Sequence, residues 1–390
     1  MRYIIALSTI IIIATTSTII YAFLDDDLSQ ESQSLIRDFE AQHNQSDSEA
    51  YWLLMGFDAP KGTDPIMHAK QNRQERAKDY PHLFSCSLHK ADCVDKVVES
   101  FQSKRHLVKE YGYLYSRYQK LMGLSDYQTL EKPNIEYATP HLFTVLFAHN
   151  LFISEQLSNK NTEHAVNELK TNIQAIANHL NNQDTVLGTL VFQELLNRSL
   201  NAFAYLKYKH GYELLDLEIR DIRNSLKQGF LWEFMIAVDL FKGLDGNPAF
   251  FSPQDIVPSW YVNLLFKPNM TINQEARETQ YLIDLLYAPD SQFLSRYLNE
   301  SIPKVGTDQF RNYGGSILLE MKGVDEKENI LQTRLLNSKV LLINNGKRAV
   351  HPFSSEIQTI QKDGSLCFDS EVLMSLERFN CIPFIDRLVR

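Results

Sequence analysis

The order of apolar and polar positions divides this chain into stretches of different character. Between Arg2 and the acidic triplet Asp25–Asp27 runs Tyr3–Leu24, which carries no charged side chain. As a helix it reaches ~33 Å, enough for a bilayer core of ~30 Å, so residues 1–24 are predicted to form a transmembrane anchor or signal segment. Residues 25–49 are polar, with one amphipathic patch at Leu35, Ile36 and Phe39, and read as a stalk or short helix leading away from the membrane. Residues 50–320 carry apolar side chains at steps of three and four, the signature of amphipathic helices. Helices are expected over Val94–Met122 (stripe Leu107, Tyr111, Leu114, Tyr118, Leu121), after Thr139-Pro140, around Val166–Leu180, over Leu187–Leu206 and over Glu213–Lys242. Gly243–Pro268, rich in proline and aromatic residues, interrupts them, and Thr271 with Gln274 matches a capping box for the next helix. Connections are short, so neighbours are expected to run antiparallel. No fixed repeat recurs.

Residues 321–390 change period. A helix is expected over Glu326–Leu336, then a β-rich run Lys339–Ile343 closed by the hairpin signal Asn344-Asn345-Gly346. Ile357–Ile360 and Ser365–Phe368, around Lys362-Asp363-Gly364, read as a further strand pair, with a closing helix near Val372–Phe379. The expected fold is therefore mainly α. It is an irregular array of antiparallel helices with a small C-terminal α+β module of antiparallel strands, preceded by one N-terminal transmembrane helix.

Charge orients the anchor. Arg2 and the α-amino group lie before the apolar run, which favours an inside N-terminus and an exported remainder. The rival is a cleaved signal peptide, whose apolar region is ~7–15 residues and ends in a small-x-small site; for a site ending at Ala22 the −3 residue is Ile20, which fits poorly. A formal net charge of −9 argues against a nucleic-acid partner and against adhesion to anionic lipid. The cysteines fall as near pairs, Cys86/Cys93 and Cys367/Cys381, which in an oxidising compartment read as local disulfides. Zinc is the weaker alternative because neither pair has CxxC spacing. No metal and no cofactor is expected.

Candidate chemistry is sparse. Asp58 and Asp64 follow an apolar run in a glycine- and proline-rich segment, either as turn residues or as a carboxylate pair lining a metal or sugar site. His149 lies on the buried stripe of its helix, as a core histidine or as a base or metal ligand. The aromatic loop with Phe250, Phe251, Trp260 and Tyr261 either plugs the concave side of the helical array or lines a groove for a partner or an acyl chain. No GxSxG, phosphate-binding or dinucleotide-binding glycine motif is present.

Several segments carry a resemblance. Tyr51-Trp-Leu-Leu-Met-Gly-Phe-Asp-Ala-Pro60 with Asp64-Pro65, then Cys86/Cys93 and Tyr115-Ser-Arg-Tyr118, are similar to the opening of a group of membrane-anchored envelope proteins of proteobacteria. Asn312-Tyr-Gly-Gly-Ser-Ile-Leu-Leu319, Arg334-Leu-Leu and His351-Pro-Phe353 resemble that group's closing pattern. Tyr313 stands where the pattern has proline, His351 where it has Asn or Asp, and Ser354-Ser355-Glu356 where it has a glycine-lysine turn. The resemblance spans most of the exported part. It implies a single-pass inner-membrane protein with its C-terminal domain in the periplasm, and assigns no activity.

The function expected on these grounds is a scaffold or accessory factor that binds another envelope protein. An exported hydrolase acting on envelope glycan or lipid, through Asp58, Asp64 and His149, is one alternative. A binding or inhibitor module for an apolar ligand is another.

Overall fold

The structure is a computed structural model of the chain. It describes residues 2–44, 47–72, 80–84, 86–211, 216–245, 247, 258–303, 311–320, 326–353, 358–361, 364–368 and 376–384; within the first helix, the side chains of 2–8, 10 and 18–20 lie outside the description. In chain order the helices begin α1 (Arg2–Phe23), α2 (Gln30–Gln42), α3 (Glu49–Met55), α4 (Pro65–Gln71), α5 (Ala91–Glu110), α6 (Gly112–Met122), α7 (Leu142–Leu157) and α8 (Thr162–Asn181). Then follow α9 (Val186–His210), α10 (Arg223–Gly243), α11 (Ser259–Leu265), α12 (Pro268–Leu286), α13 (Asp290–Asn299), α14 (Tyr313–Glu320), α15 (Glu326–Asn345) and α16 (Glu377–Asn380). Strands β1 (Gln358–Ile360), β2 (Ser365–Phe368) and β3 (Cys381–Pro383) form one antiparallel sheet in the order β1-β2-β3.

The core is built around α9. Phe192, Leu195, Leu196, Leu200, Phe203, Tyr205 and Leu206 are buried on several of its faces, as a helix enclosed on all sides requires. It packs on α7, α8, α10, α15 and β3. Gly229 lets α10 approach its first turn, because a Cβ there would lie 3.0 Å from the Val186 nitrogen. The periodicity of Val166, Leu169, Ile173, Ile176 and Leu180 is borne out, and all five line the buried face of α8.

Several expectations are corrected. The polar segment after α1 holds a short helix, one of its two expected forms, but it does not lead away: α2 buries Leu35 and Phe39 and packs on α10 and α12. The long run from 94 is two helices, α5 and α6, that meet at Tyr111. α10 starts at Arg223 rather than 213, where the Asp221 carboxylate accepts from the Arg223 amide at 3.0 Å. Thr271 lies inside α12, where Pro268 occupies the first turn.

Lys339–Ile343 is not a strand. α15 continues through it because Val340, Leu342 and Ile343 are buried at helical spacing and the Lys339 ammonium reaches Asn197 Oδ1 and the Arg378 carbonyl. Gly346, with φ +54°, follows the end of that helix instead of turning a hairpin. The second strand pair is found as β1 and β2, and Cys367–Cys381 joins β2 to β3, whose cysteines face each other in register. Cys86–Cys93 is bonded as well.

Among the described residues no helix is long and apolar enough to cross a membrane. The described side chains of α1 include Ile11, Ile12 and Ile13, which are 56–64 % exposed.

Candidate functional site

The acidic candidates of the Gly56–Pro65 segment have separate employments. Gly56 sits so close to Pro65 that a Cβ would meet its carbonyl oxygen at 1.8 Å, which folds the segment back on itself. Arg117 of α6 enters the resulting loop and donates to the carbonyls of Phe57 (2.8 Å), Ala59 (2.6 Å), Pro60 (3.1 Å) and Thr63 (3.3 Å). Its guanidinium stacks 5.0 Å from the Tyr113 ring, and burial lowers its pKa from the ordinary value. Asp58 is buried, accepts from the Tyr80 hydroxyl at 3.1 Å and lies 3.5 Å from His141 Nδ1. Burial, with Asp58 beside it, raises the Tyr80 phenol. Asp64 instead caps α4, accepting from the amides of Ile66 (2.8 Å) and Met67 (3.1 Å).

His149 is enclosed between α7 and α9. Its Nε2 is 2.9 Å from Ser199 Oγ, which donates to Asn172 Oδ1 at 3.2 Å; Asn172 Nδ2 in turn donates to the Tyr118 hydroxyl at 2.8 Å. Burial and nearby Arg198 push the His149 pKa well below its ordinary value, so the imidazole is neutral. Ser199 lies mid-helix, where backbone amides are committed to the helix and supply no oxyanion donors. Only the outer members of this polar chain, Tyr118 and Asn172, reach a cleft of ≈ 250 Å³ between α6, α7 and α8. Asp58, Asp64 and His149 are thus held by different partners. Among the described residues no three His, Cys, Asp or Glu side chains cluster as metal ligands would.

A larger cleft, ≈ 410 Å³, is lined by Arg223, Tyr287, Asp290, Arg334, Asn337 and Phe353, among others. Its arginines are already paired. Arg223 meets Asp221, while Arg334 is bonded to Asp290 and to the carbonyls of Leu286 (3.1 Å) and Ala288 (2.7 Å). The Arg334 guanidinium also lies 4.2 Å from the Phe293 ring and 4.9 Å from Phe353. His351 packs edge-on to Phe353, and its Nδ1 accepts from the Phe353 amide at 3.1 Å. Burial pulls its pKa down to about 4.

The residues that mark the resemblance therefore tie the body together. Asn312 accepts from the Lys267 amide at 2.8 Å, donates to Thr271 Oγ1 at 2.8 Å, and its carbonyl receives the Ser316 amide. A Cβ on Gly315 would lie 2.1 Å from Thr271 Oγ1. Tyr51 and Phe57 are wholly buried.

The remaining candidate surface surrounds the base of α1. Asp25 accepts from the amides of Asn269 (2.8 Å) and Met270 (3.1 Å), at the start of α12, where a carboxylate is favoured. Asn273 donates to the Asp27 carbonyl and accepts from the Ser29 amide and the Ser32 hydroxyl. Arg311, 4 % exposed, donates to the Tyr21 hydroxyl (3.0 Å), the Leu24 carbonyl (2.9 Å) and Asp26 (3.2 Å), with its guanidinium 3.9 Å from the Tyr21 ring centre. α11 packs against α1 and α14. Of the sequence-predicted aromatic loop, Phe250 and Phe251 lie outside the described residues; Phe266 is buried, whereas Trp260 and Tyr261 are exposed.

Sequence reasoning passed over Arg117, Arg311 and Arg334 as structural hubs. The signal for Arg117 was present, since it lies between Leu114 and Tyr118 on a buried stripe where a charge needs partners. No family model matches the chain, and neither a curated protein nor a solved structure shows significant similarity to it.

Proposed function

We propose that this chain is a single-pass membrane protein whose α1 crosses the bilayer, and whose helical body lies on the exported side as a scaffold or accessory factor for another envelope protein. One observation carries the reading: α1 exposes Ile11–Ile13 while its base is fixed to the body through Arg311 and Asp25. A helix uncharged after Arg2, whose described isoleucines Ile11–Ile13 lie open, has a natural solvent in lipid. The charge asymmetry, with Arg2 before and Asp25–Asp27 after, favours export of the body. The two disulfides fit an oxidising compartment. The scaffold role is favoured because Asp58, Asp64 and His149 each serve a local structural contact.

A reporter enzyme that works only outside the reducing cytoplasm, fused at the C-terminus, is expected to be active. Photo-crosslinking in cells, followed by identification of the adducts, is expected to yield a discrete envelope protein. An expressed but inactive reporter overturns the topology, and recovery of monomer alone from several crosslinking positions overturns the scaffold role.

A further inference from the structure

Two helices beside the foot of α1 are free of charge over most of their length. From Ser259 to Phe266 there is no charged residue, and from Tyr313 to Leu319 there is none either. These stretches are α11 and most of α14, which pack on each other. Buried Val262 and Phe266 fix α11 to the body, while Trp260 (58 %) and Tyr261 (41 %) face outward. On α14, Tyr313 and Ile317 are also exposed. Tyr21, Phe23 and Leu24, at the end of α1, are exposed as well.

We propose that this face rests in the headgroup layer of the same bilayer that α1 crosses, so that the body sits down on the membrane instead of standing away from it. The inference rests on the proposed reading of α1 and adds where the body lies relative to the lipid. Length sets the level: an apolar run of ~33 Å in a core of ~30 Å brings Tyr21–Leu24 to the membrane–water boundary. α11 adjoins that level, because it ends just before α12, whose first amides are held by Asp25. Tryptophan and tyrosine pair an apolar ring with a polar tip and concentrate at this boundary. Exposed neutral aromatic residues on a helix that packs against α1 suit lipid better than open water.

The chain has three tryptophans, and Trp52 and Trp232 are buried, so the emission lost in W260F reports on Trp260. The full-length protein and W260F are placed in phosphatidylcholine–phosphatidylglycerol nanodiscs with and without lipids brominated near the headgroup end of the chain. Circular dichroism confirms that W260F keeps its helices. Brominated lipid is expected to remove roughly half or more of the Trp260-dependent emission, with acrylamide reaching it poorly. Free access of acrylamide with no effect of bromine, in protein that stays bound to the discs, overturns the seating and leaves the anchor standing. Shielding from both quenchers shows Trp260 covered by protein and also overturns it. Protein that does not remain with the discs overturns the anchor and the seating together.

Discussion

Arg117 and Arg311 are both buried guanidiniums with several acceptors, yet one gathers four main-chain carbonyls to close a loop inside the body and the other joins one carbonyl, a hydroxyl and a carboxylate at the base of α1. Two of Arg117's four partners are buried, for Phe57 and Ala59 are at most 1 % exposed, while Pro60 and Thr63 lie at the surface. Arg311 has partners that are open on one side: Tyr21, Leu24 and Asp26 all remain substantially exposed. The same fork of donors therefore carries different consequences. Removing the first strands the buried carbonyls of Phe57 and Ala59, whereas removing the second leaves groups open to their surroundings. Arg117 is a stability device, and Arg311 a device of orientation.

The largest test of that contrast is Arg117→Ala, expected to cost about 3–5 kcal/mol and to be read as a lowered urea midpoint. A change under about 1 kcal/mol would erase the distinction between the two sites. Gly56→Ala attacks the same loop from its backbone. The added Cβ overlaps the Pro65 carbonyl, and a loss of about 3 kcal/mol is expected in thermal melts. If the variant melts with wild type, the loop is looser than its clasp implies.

Acid separates the two regions differently. His149 and His351 are held neutral in the folded body, with pKa values below those of the unfolded chain. Below about pH 6.5 the unfolded chain takes up protons that the folded one refuses, so stability falls with pH, by up to about 1.4 kcal/mol per unit for each histidine. For His351 the decline continues to about pH 4, where the folded side chain also titrates. His351→Gln should flatten the melting temperature measured from pH 7 to pH 5. Arg311→Ala should track wild type across that range, because the groups at its junction include no histidine.

Arg311→Ala itself is expected to cost only about 1–2 kcal/mol, but to open residues 24–28 to limited proteolysis. Resistance of that segment, with the body intact, would show that Asp25 alone fixes the base of α1. Asp25→Ala is the smallest step, at about 1 kcal/mol for a lost helix cap, and should add to the Arg311 effect in a double variant if the contacts act separately.

Much of the helical frame was legible as period. α8 and α9 follow from apolar spacing because their burial is continuous and their neighbours are helices. The run Lys339–Ile343 misled because β-branched residues weigh toward strands locally, while burial against α9 and the partners of Lys339 decide for helix. The restart at Arg223 depended on one carboxylate, Asp221, that no periodicity encodes. The candidate site was legible as an aromatic, proline-rich interruption. Which rings turn inward was not, since Phe266 and Trp260 differ only in what the fold places opposite them. Nor could spacing anticipate that Asp25 would meet α12 or that Arg311 would meet Leu24.

Those last contacts set an order of events during synthesis. The Asp25 carboxylate waits for amides 244 and 245 residues further on, and the Leu24 carbonyl waits for a guanidinium 287 residues downstream. The foot of the first helix stays unlatched until most of the polypeptide has emerged. Such distant closures fold slowly. Nascent chains stalled before Arg311 should therefore carry a loose hinge at Leu24, and a helper that grips newly made protein would find its opening there.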